Sequence, residues 1–284
     1  FEKKIENKET LLQHLYRKED IMTIKHILKK DKGEHTKPFV DEMQEHYQYI
    51  DNPDMYKKKY IELGKEYIQN ETNFQPKMYP RTEVCLNHFM NYHSEKPLKK
   101  ILDFGSGIGN EAFFLAKSLG STVDCINISE EENKGAEKLL ATGEQDVVEK
   151  INFITGDEDS FKPTEKYDAL HLGEVLEHQP CAKTFMEKLH KNLKHEALVV
   201  ITVPVGIWQD VRHAHLWNYE RRDLEEIFGK QKNLSIQCCT GPPNVQQSDV
   251  LAWWIISYKK TNVALGTVNM DRKASIQAPR ETVT

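Results

Sequence analysis

One stretch, Lys99-Lys100-Ile101-Leu102-Asp103-Phe104-Gly105-Ser106-Gly107-Ile108-Gly109-Asn110-Glu111, constrains the fold of this chain more than any other. The short apolar run Ile101 to Phe104 reads as a buried strand. Glycine then falls at every second position, at Gly105, Gly107 and Gly109. Beyond it Ala112, Phe113, Leu115, Ala116 and Leu119 recur at helical spacing. The order is therefore strand, glycine turn, helix. Residues without a Cβ let the backbone turn sharply and let a ligand approach the amides. The helix start adds unpaired N–H donors and the positive end of a dipole. Such a turn suits a carboxylate or a phosphate. A dinucleotide fingerprint needs a glycine where this chain has Asn110, which argues against a pyrophosphate site.

From Leu98 onward apolar strands alternate with amphipathic helices. The pattern predicts strands near 99–104, 122–128, 151–156, 167–173, 197–204, 234–240 and 251–260. Helices are predicted near 109–119, 130–141, 180–193 and 220–228. This alternation implies an α/β fold with a doubly wound, mostly parallel seven-stranded sheet and right-handed crossovers. The last two strands are joined by Gly241-Pro242-Pro243 and a short polar stretch with no room for a long helix. That predicts a final antiparallel pair.

Four regions follow. Residues 1–34, rich in Lys and Glu with scattered Leu and Ile, are expected to form a loosely ordered arm. Residues 35–95 are predicted to form a helical cap. Its first helix carries Phe39, Val40, Met43, Tyr47 and Ile50, and its second carries Tyr56, Tyr60, Leu63 and Tyr67 on one face. A third helix runs from Thr82, an N-cap candidate, to about Tyr92. The tyrosine stripe either packs as core or looks into the mouth of the following domain. The sheet domain spans 96–260, and the tail 261–284, without periodicity, is expected to be disordered.

Composition narrows the function classes. The net charge of −5 gives no general attraction to nucleic acid or an anionic membrane. The sequence has no run of 18 apolar residues, so no transmembrane helix is expected. The opening Phe1-Glu2-Lys3-Lys4 has no apolar signal region. The five cysteines, Cys85, Cys125, Cys181, Cys238 and Cys239, are odd in number and lack Cys-x-x-Cys spacing. Disulfide and zinc frameworks are therefore not expected, and a reducing cytoplasm fits best.

The Gly-x-Gly-x-Gly turn, with Asp103 two residues before it, resembles the first motif of class I S-adenosylmethionine-dependent methyltransferases. The string Glu174-Val175-Leu176-Glu177-His178 after the fourth strand resembles that family's fourth motif. Together the motifs cover about residues 98 to 260. The resemblance implies the Rossmann-like methyltransferase fold with an N-terminal helical extension. It implies S-adenosyl-L-methionine as cofactor and methyl transfer as activity. Cofactor binding is then expected of Asp103, Gly105, Ser106, Gly107 and Gly109 at the first turn. It is further expected of Asn127 and Ile128 after strand two, Asp157 after strand three, and Gly173 and Glu174 after strand four. In the family the residue at 127 is usually acidic and holds both ribose hydroxyls. Asn127 departs from that, and the resemblance implies that an aspartate there would be tolerated. Asp157 takes the place of a carboxylate set against the adenine amino group. Independently of any ligand, Ser129 is expected to cap the next helix.

Transfer from a sulfonium requires an acceptor aligned with the S–CH₃ bond, and a hydroxyl acceptor must also lose its proton. His215 and His178 are the candidate bases. Glu174 is the candidate carboxylate for an amine acceptor. His215 is favoured because Trp217 and Tyr219 lie near it in sequence and could shield it from water. The expected substrate is a small polar metabolite or sugar, with no nucleic-acid or membrane partner. Two rival readings stand beside this one. Glu174, Glu177, His178 and either His213 or His215 also resemble the divalent-metal set of RNA 3′-terminal 2′-O-methyltransferases, although the leading reading needs no metal. The other rival is an inactive cofactor-binding partner subunit.

Overall fold

The computed structural model describes residues 54–55, 57–62, 74–205, 215, 217, 219–240 and 252–268. Helix α1 (Pro80–Glu95) leads into a repeating series: β1 (Lys100–Phe104), α2 (Asn110–Leu119), β2 (Thr122–Asn127), α3 (Glu130–Leu140), α4 (Gln145–Val148) and β3 (Ile151–Thr155). Then come β4 (Tyr167–Gly173), a single 3₁₀ turn (Leu176–His178), α5 (Ala182–His190) and β5 (Leu193–Pro204). Helix α6 (Arg221–Phe228), β6 (Lys232–Thr240) and β7 (Ala252–Lys259) complete the series. The seven strands form one sheet in the order β3-β2-β1-β4-β5-β7-β6. Strands β1 to β5 are parallel, and β7 lies antiparallel between β5 and β6.

The two-residue period of the strands builds two cores. Leu102, Phe104, Leu170 and Leu172 face one side of the sheet, where Phe185, Met186 and Leu189 of α5 and Leu224 and Phe228 of α6 cover them. Ile101, Val123, Cys125 and Ala169 face the other, under Phe89 of α1, Phe113 and Ala116 of α2 and Leu139 of α3. With both faces covered, β4 is buried along almost its whole length, as a central parallel strand should be. The strand order reverses between β1 and β4. Their carboxyl ends therefore open onto the crevice where ligands of such sheets bind.

Several sequence expectations shift. Helix α1 starts at Pro80, which needs no N–H in the first turn, with Tyr79 rather than Thr82 at the cap. The Thr82 hydroxyl instead donates to Glu111 at 2.9 Å. Ser129 does cap α3, accepting from the Glu132 amide at 3.2 Å. The opening of the expected tail is packed rather than loose. Leu265 and Val268 are buried, the Gly266 amide donates to Ile227 O, and Gln231 Nε2 donates to Val263 O. Two apolar anchors suffice for this and leave no periodic trace. Residues 54–62 are helical where described, and Tyr60 packs on the first core. The 1–34 arm, the first cap helix, Tyr56, Leu63, Tyr67 and residues 269–284 lie outside the described residues.

Phe89 is fully buried and rests on the His171 ring at 6.1 Å. Phe89→Ala is expected to lower unfolding free energy by about 3–5 kcal/mol, read by denaturant titration, because a cavity would open between α1 and the sheet.

Candidate active site

The glycine turn has the backbone its sequence calls for. Gly105, Gly107 and Gly109 all have positive φ, at 77°, 54° and 81°. A Cβ on Gly105 would run into Val175, and one on Gly109 would come 3.0 Å from the Phe153 ring. A Cβ on Gly107 would meet nothing within 4 Å. The first and third glycines thus answer to packing, whereas the second borders open space. Ser106 is buried beside the Cys125 thiol.

Asp103 does not face that space. Its Oδ1 lies 2.7 Å from Nδ1 of His171, its neighbour on β4, and both side chains are buried. Burial works against a charge on His171, but the Asp103 carboxylate overcomes it and holds the imidazole well above its usual range. Burial also raises Asp103, with His171 pulling the other way. Gly173 serves this pair, since a Cβ there would come 2.9 Å from His171 Cε1. One carboxylate oxygen of Asp103, expected from the sequence at the ligand, is thus held in a buried ion pair beneath the turn.

Asn127, at the end of β2, is also turned inward. Its Oδ1 accepts from the Gly107 amide at 3.0 Å, and its Nδ2 donates to Gly107 O at 3.1 Å. Ile128 beside it is half-buried. Asp157 closes a tight turn by accepting from the Ser160 amide at 2.8 Å, and takes Lys57 Nζ at 2.7 Å on its other oxygen. Partial burial would raise the Asp157 pKa, but the bonds from Lys57 and Ser160 hold it well below the usual carboxylate range. The carboxylate expected at an adenine amino group is thus already engaged.

Glu174 leaves β4 with φ 57°, a conformation few non-glycine residues adopt. One carboxylate oxygen accepts from Thr202 Oγ1 at 2.9 Å and the other from Trp253 Nε1 at 3.0 Å. Arg81 of α1 lies 3.9 Å from Glu174 and 3.7 Å from Glu111, over the Trp253 ring. Burial weakens the guanidinium's charge, but the two glutamates more than restore it.

Beyond Glu174 the 3₁₀ turn brings up Glu177 and His178, and the segment after β5 brings His215 to meet them. Ligand atoms of the three lie within 4.8 Å of one another, and all three side chains are buried. His178 Nε2 and His215 Nε2 are each 3.9 Å from Glu177 Oε1. The two imidazoles meet edge-on at 4.8 Å, and Tyr60 closes on His178 at 4.9 Å. Burial pushes the His215 imidazole down to about 4, with Glu174 opposing weakly, so it is neutral at pH 7. Trp217 and Tyr219, its neighbours in sequence, are buried as well. Trp217 Nε1 donates to Gln179 O at 2.8 Å and braces the turn that carries His178. His213 lies outside the described residues.

The strand ends therefore bring together the glycine turn, Asn127, Glu174, His178 and His215 at one edge of the sheet. Arg81, Thr202 and Trp253 are additional members that no sequence motif marks.

Comparison with known proteins matches residues 102–199 to a family model described as a methyltransferase domain. The sarcosine/dimethylglycine N-methyltransferase of Aphanothece halophytica is 32% identical over 107 residues. That match covers 37% of this chain and 38% of the relative's length. Among solved structures, the N-methyltransferase NodS of Bradyrhizobium japonicum WM9, in complex with S-adenosyl-L-homocysteine, superposes with a TM-score of 0.51 at 14% identity. The match covers 72% of this chain and 98% of that one. A proposed sarcosine dimethylglycine methyltransferase of Galdieria sulphuraria gives 0.50 at 17% identity, covering 64% and 85%. At these identities the two structures speak for the fold.

The glycines differ in a way that stability can read. Gly107→Ala is expected to cost about 1–2 kcal/mol, the strain of a left-handed alanine. Gly105→Ala carries that strain plus the collision with Val175 and should cost distinctly more. Equal losses in urea unfolding would show that Val175 gives way freely.

Proposed function

We propose, from the premise that residues 102–199 form a class I S-adenosylmethionine-dependent methyltransferase domain, that the chain transfers a methyl group to a hydroxyl or amine of a small polar molecule. The residues at the glycine turn suit the cofactor's amino-acid end. Gly107 borders open space, and the first amides of α2 offer donors to a carboxylate. When bound, S-adenosylmethionine supplies a methyl group on a sulfonium, already a good leaving group.

The observation that carries the reading is the buried, neutral imidazole of His215 beside His178 at the carboxyl edge of the sheet. A neutral imidazole can take the proton of an acceptor hydroxyl as its oxygen attacks. Tyr60 and Trp217 shelter that proton transfer from water. Glu174, fixed by Thr202 and Trp253, would draw in an ammonium group and take the proton that an amine must lose before its lone pair attacks the methyl group. The Aphanothece relative's name supports an amine as the acceptor, and the histidine pair supports a hydroxyl.

A second reading has its own observation. Ligand atoms of Glu177, His178 and His215 lie within 4.8 Å of one another, and two imidazoles with a carboxylate suit a divalent transition ion. Such an ion at these three residues would supply Lewis acidity for a hydroxyl acceptor. Glu174, tied to Thr202 and Trp253, is not in that cluster.

The test begins with calorimetry of S-adenosylhomocysteine, where absence of binding would remove the cofactor assignment. Methyl transfer from labelled cofactor to a panel of small polyols, sugars and amino acids follows, with and without EDTA. Loss of turnover in EDTA, restored by Mn²⁺, favours the second reading. His215→Ala is expected to lower kcat by about 10²–10⁴-fold while leaving S-adenosylhomocysteine affinity within severalfold. If His215→Ala turns over normally, the base is elsewhere.

The pH dependence follows from the sign of the His215 shift. Because the imidazole stays neutral down to about pH 4, a rate that needs its free base should stay flat from pH 8 to about 5. Unfolded His215 takes up a proton below about pH 6.5, so unfolding binds a proton and stability falls as pH drops from there toward 4. His215→Ala should flatten part of that stability loss in urea titrations at pH 7 and 5.

A further inference from the structure

Asn127 stands where the family resemblance calls for a ribose-binding acid, yet its amide is spent inside the protein. The side chain is 5% exposed. Its Oδ1 accepts from Gly107 N–H at 3.0 Å while Nδ2 donates to Gly107 O at 3.1 Å. The carboxamide thus pairs with both polar groups of one glycine, as a neighbouring strand would. The second hydrogen on Nδ2 goes to Asn133 Oδ1 at 2.8 Å. Asn133, 4% exposed on α3, donates in turn to Thr155 Oγ1 at the end of β3, at 2.9 Å. Both Nδ2 hydrogens are therefore used, and Oδ1 keeps one lone pair.

We propose that Asn127 is a positioning residue: its amide clasps Gly107 and fixes the glycine turn in its cofactor-receiving shape, so that asparagine is required there and aspartate is excluded. The relay Gly107–Asn127–Asn133–Thr155 joins the turn after β1 to the ends of β2 and β3 through α3. Gly107 needs such a clasp more than its neighbours do. A Cβ on Gly105 or Gly109 would meet Val175 or Phe153, so those two glycines lie against side chains. Gly107 has nothing within 4 Å of its Cβ position, and its two bonds to Asn127 tie it to the body of the sheet.

The chemistry sets the sign of a substitution. Aspartate is isosteric but, when ionised, has no donor. It can still accept from the Gly107 amide. Its second oxygen would face Gly107 O and Asn133 Oδ1, two acceptors. Asn133 can answer by turning its amide over, since Thr155 Oγ1 can donate as well as accept. The Gly107 carbonyl cannot, so the turn is pushed off its clasp. The same count limits Asn127 to one further bond, through the Oδ1 lone pair. It can accept from a single ribose hydroxyl, whereas the acid of the family pattern takes two.

This inference rests on the proposed cofactor reading, and calorimetry with S-adenosylhomocysteine separates the two. If the wild-type chain does not bind, the cofactor reading fails. If it binds, Asn127→Asp is expected to weaken the dissociation constant by roughly tenfold to a hundredfold, the loss of one buried hydrogen bond plus an uncompensated acceptor. The binding stoichiometry should stay near one. A merely structural role would lower the stoichiometry, as unfolded molecules drop out, and leave the affinity of the remainder unchanged. Asn127→Ser removes the clasp without adding charge and serves if the aspartate variant does not fold. It too should weaken binding severalfold at unchanged stoichiometry. Affinity within twofold of wild type in either folded variant, or tighter binding by Asn127→Asp, overturns the proposal and restores the ribose-carboxylate role.

Discussion

The buried pair of Asp103 and His171 ties together the two strands between which the sheet reverses its order. Charges this deep lose their hydration, and only a close partner makes them tolerable. Removing one member leaves the other uncompensated, at a cost of about 3–5 kcal/mol in comparable cases. The position of the pair gives it reach. Asp103 precedes Gly105 by two residues, and His171 precedes Gly173 by two, so both loops that flank the cleft hang from this one contact. Phe89 of α1 covers the imidazole, and Cys85 of the same helix also interacts with it. The ion pair thus lies beneath both loops and anchors them from below.

Much of the fold was legible because it depends on period and punctuation. Two-residue alternation in Ile101–Phe104 and the glycines after it specify a strand and a turn whatever surrounds them. The antiparallel ending followed from a connection too short for a crossover helix. Side-chain destinations were less legible, because they are decided by neighbours far away in sequence. Asp103 reads as a ligand group until β4 supplies His171. Asp157 reads as a carboxylate for the adenine amino group, and nothing near it in sequence signals Lys57, 100 residues earlier, which binds it. Residues 261–268 read as disordered because Leu265 and Val268 make no period, yet two anchors are enough to dock a short segment. Arg81 carries no motif, since its role comes from where Glu111, Glu174 and Trp253 converge.

Those convergences share a theme. Polar groups at the strand ends are mostly held by other protein groups, so the cleft is organised before any ligand arrives. Glu174 shows this best. Its left-handed backbone is stabilised by three tethers, with its amide bonded to Thr202 O and its two carboxylate oxygens to Thr202 Oγ1 and Trp253 Nε1. Strand β7 contributes Trp253 only because it inserts antiparallel beside β5. The unusual end of the sheet thereby sets the orientation of an acid at its centre.

The histidine end of the cleft draws on elements outside residues 102–199. Lys57 binds Asp157 at 2.7 Å and reaches Glu158 at 3.4 Å, beside the turn after β3. Tyr60, three residues on and one helical turn away, packs against His178. One short helical stretch thus touches both the β3 edge and the histidine pair. A Lys at one point and a Tyr one turn later lie on the same face of a helix, so neither contact forms without bringing the other into range. His215 and Trp217, from after β5, meet the same turn, His215 against His178 and Trp217 on Gln179 O. The matched domain supplies the glycine turn and the Glu174–His178 string, whereas the side chains packed around His178 come from before and after it.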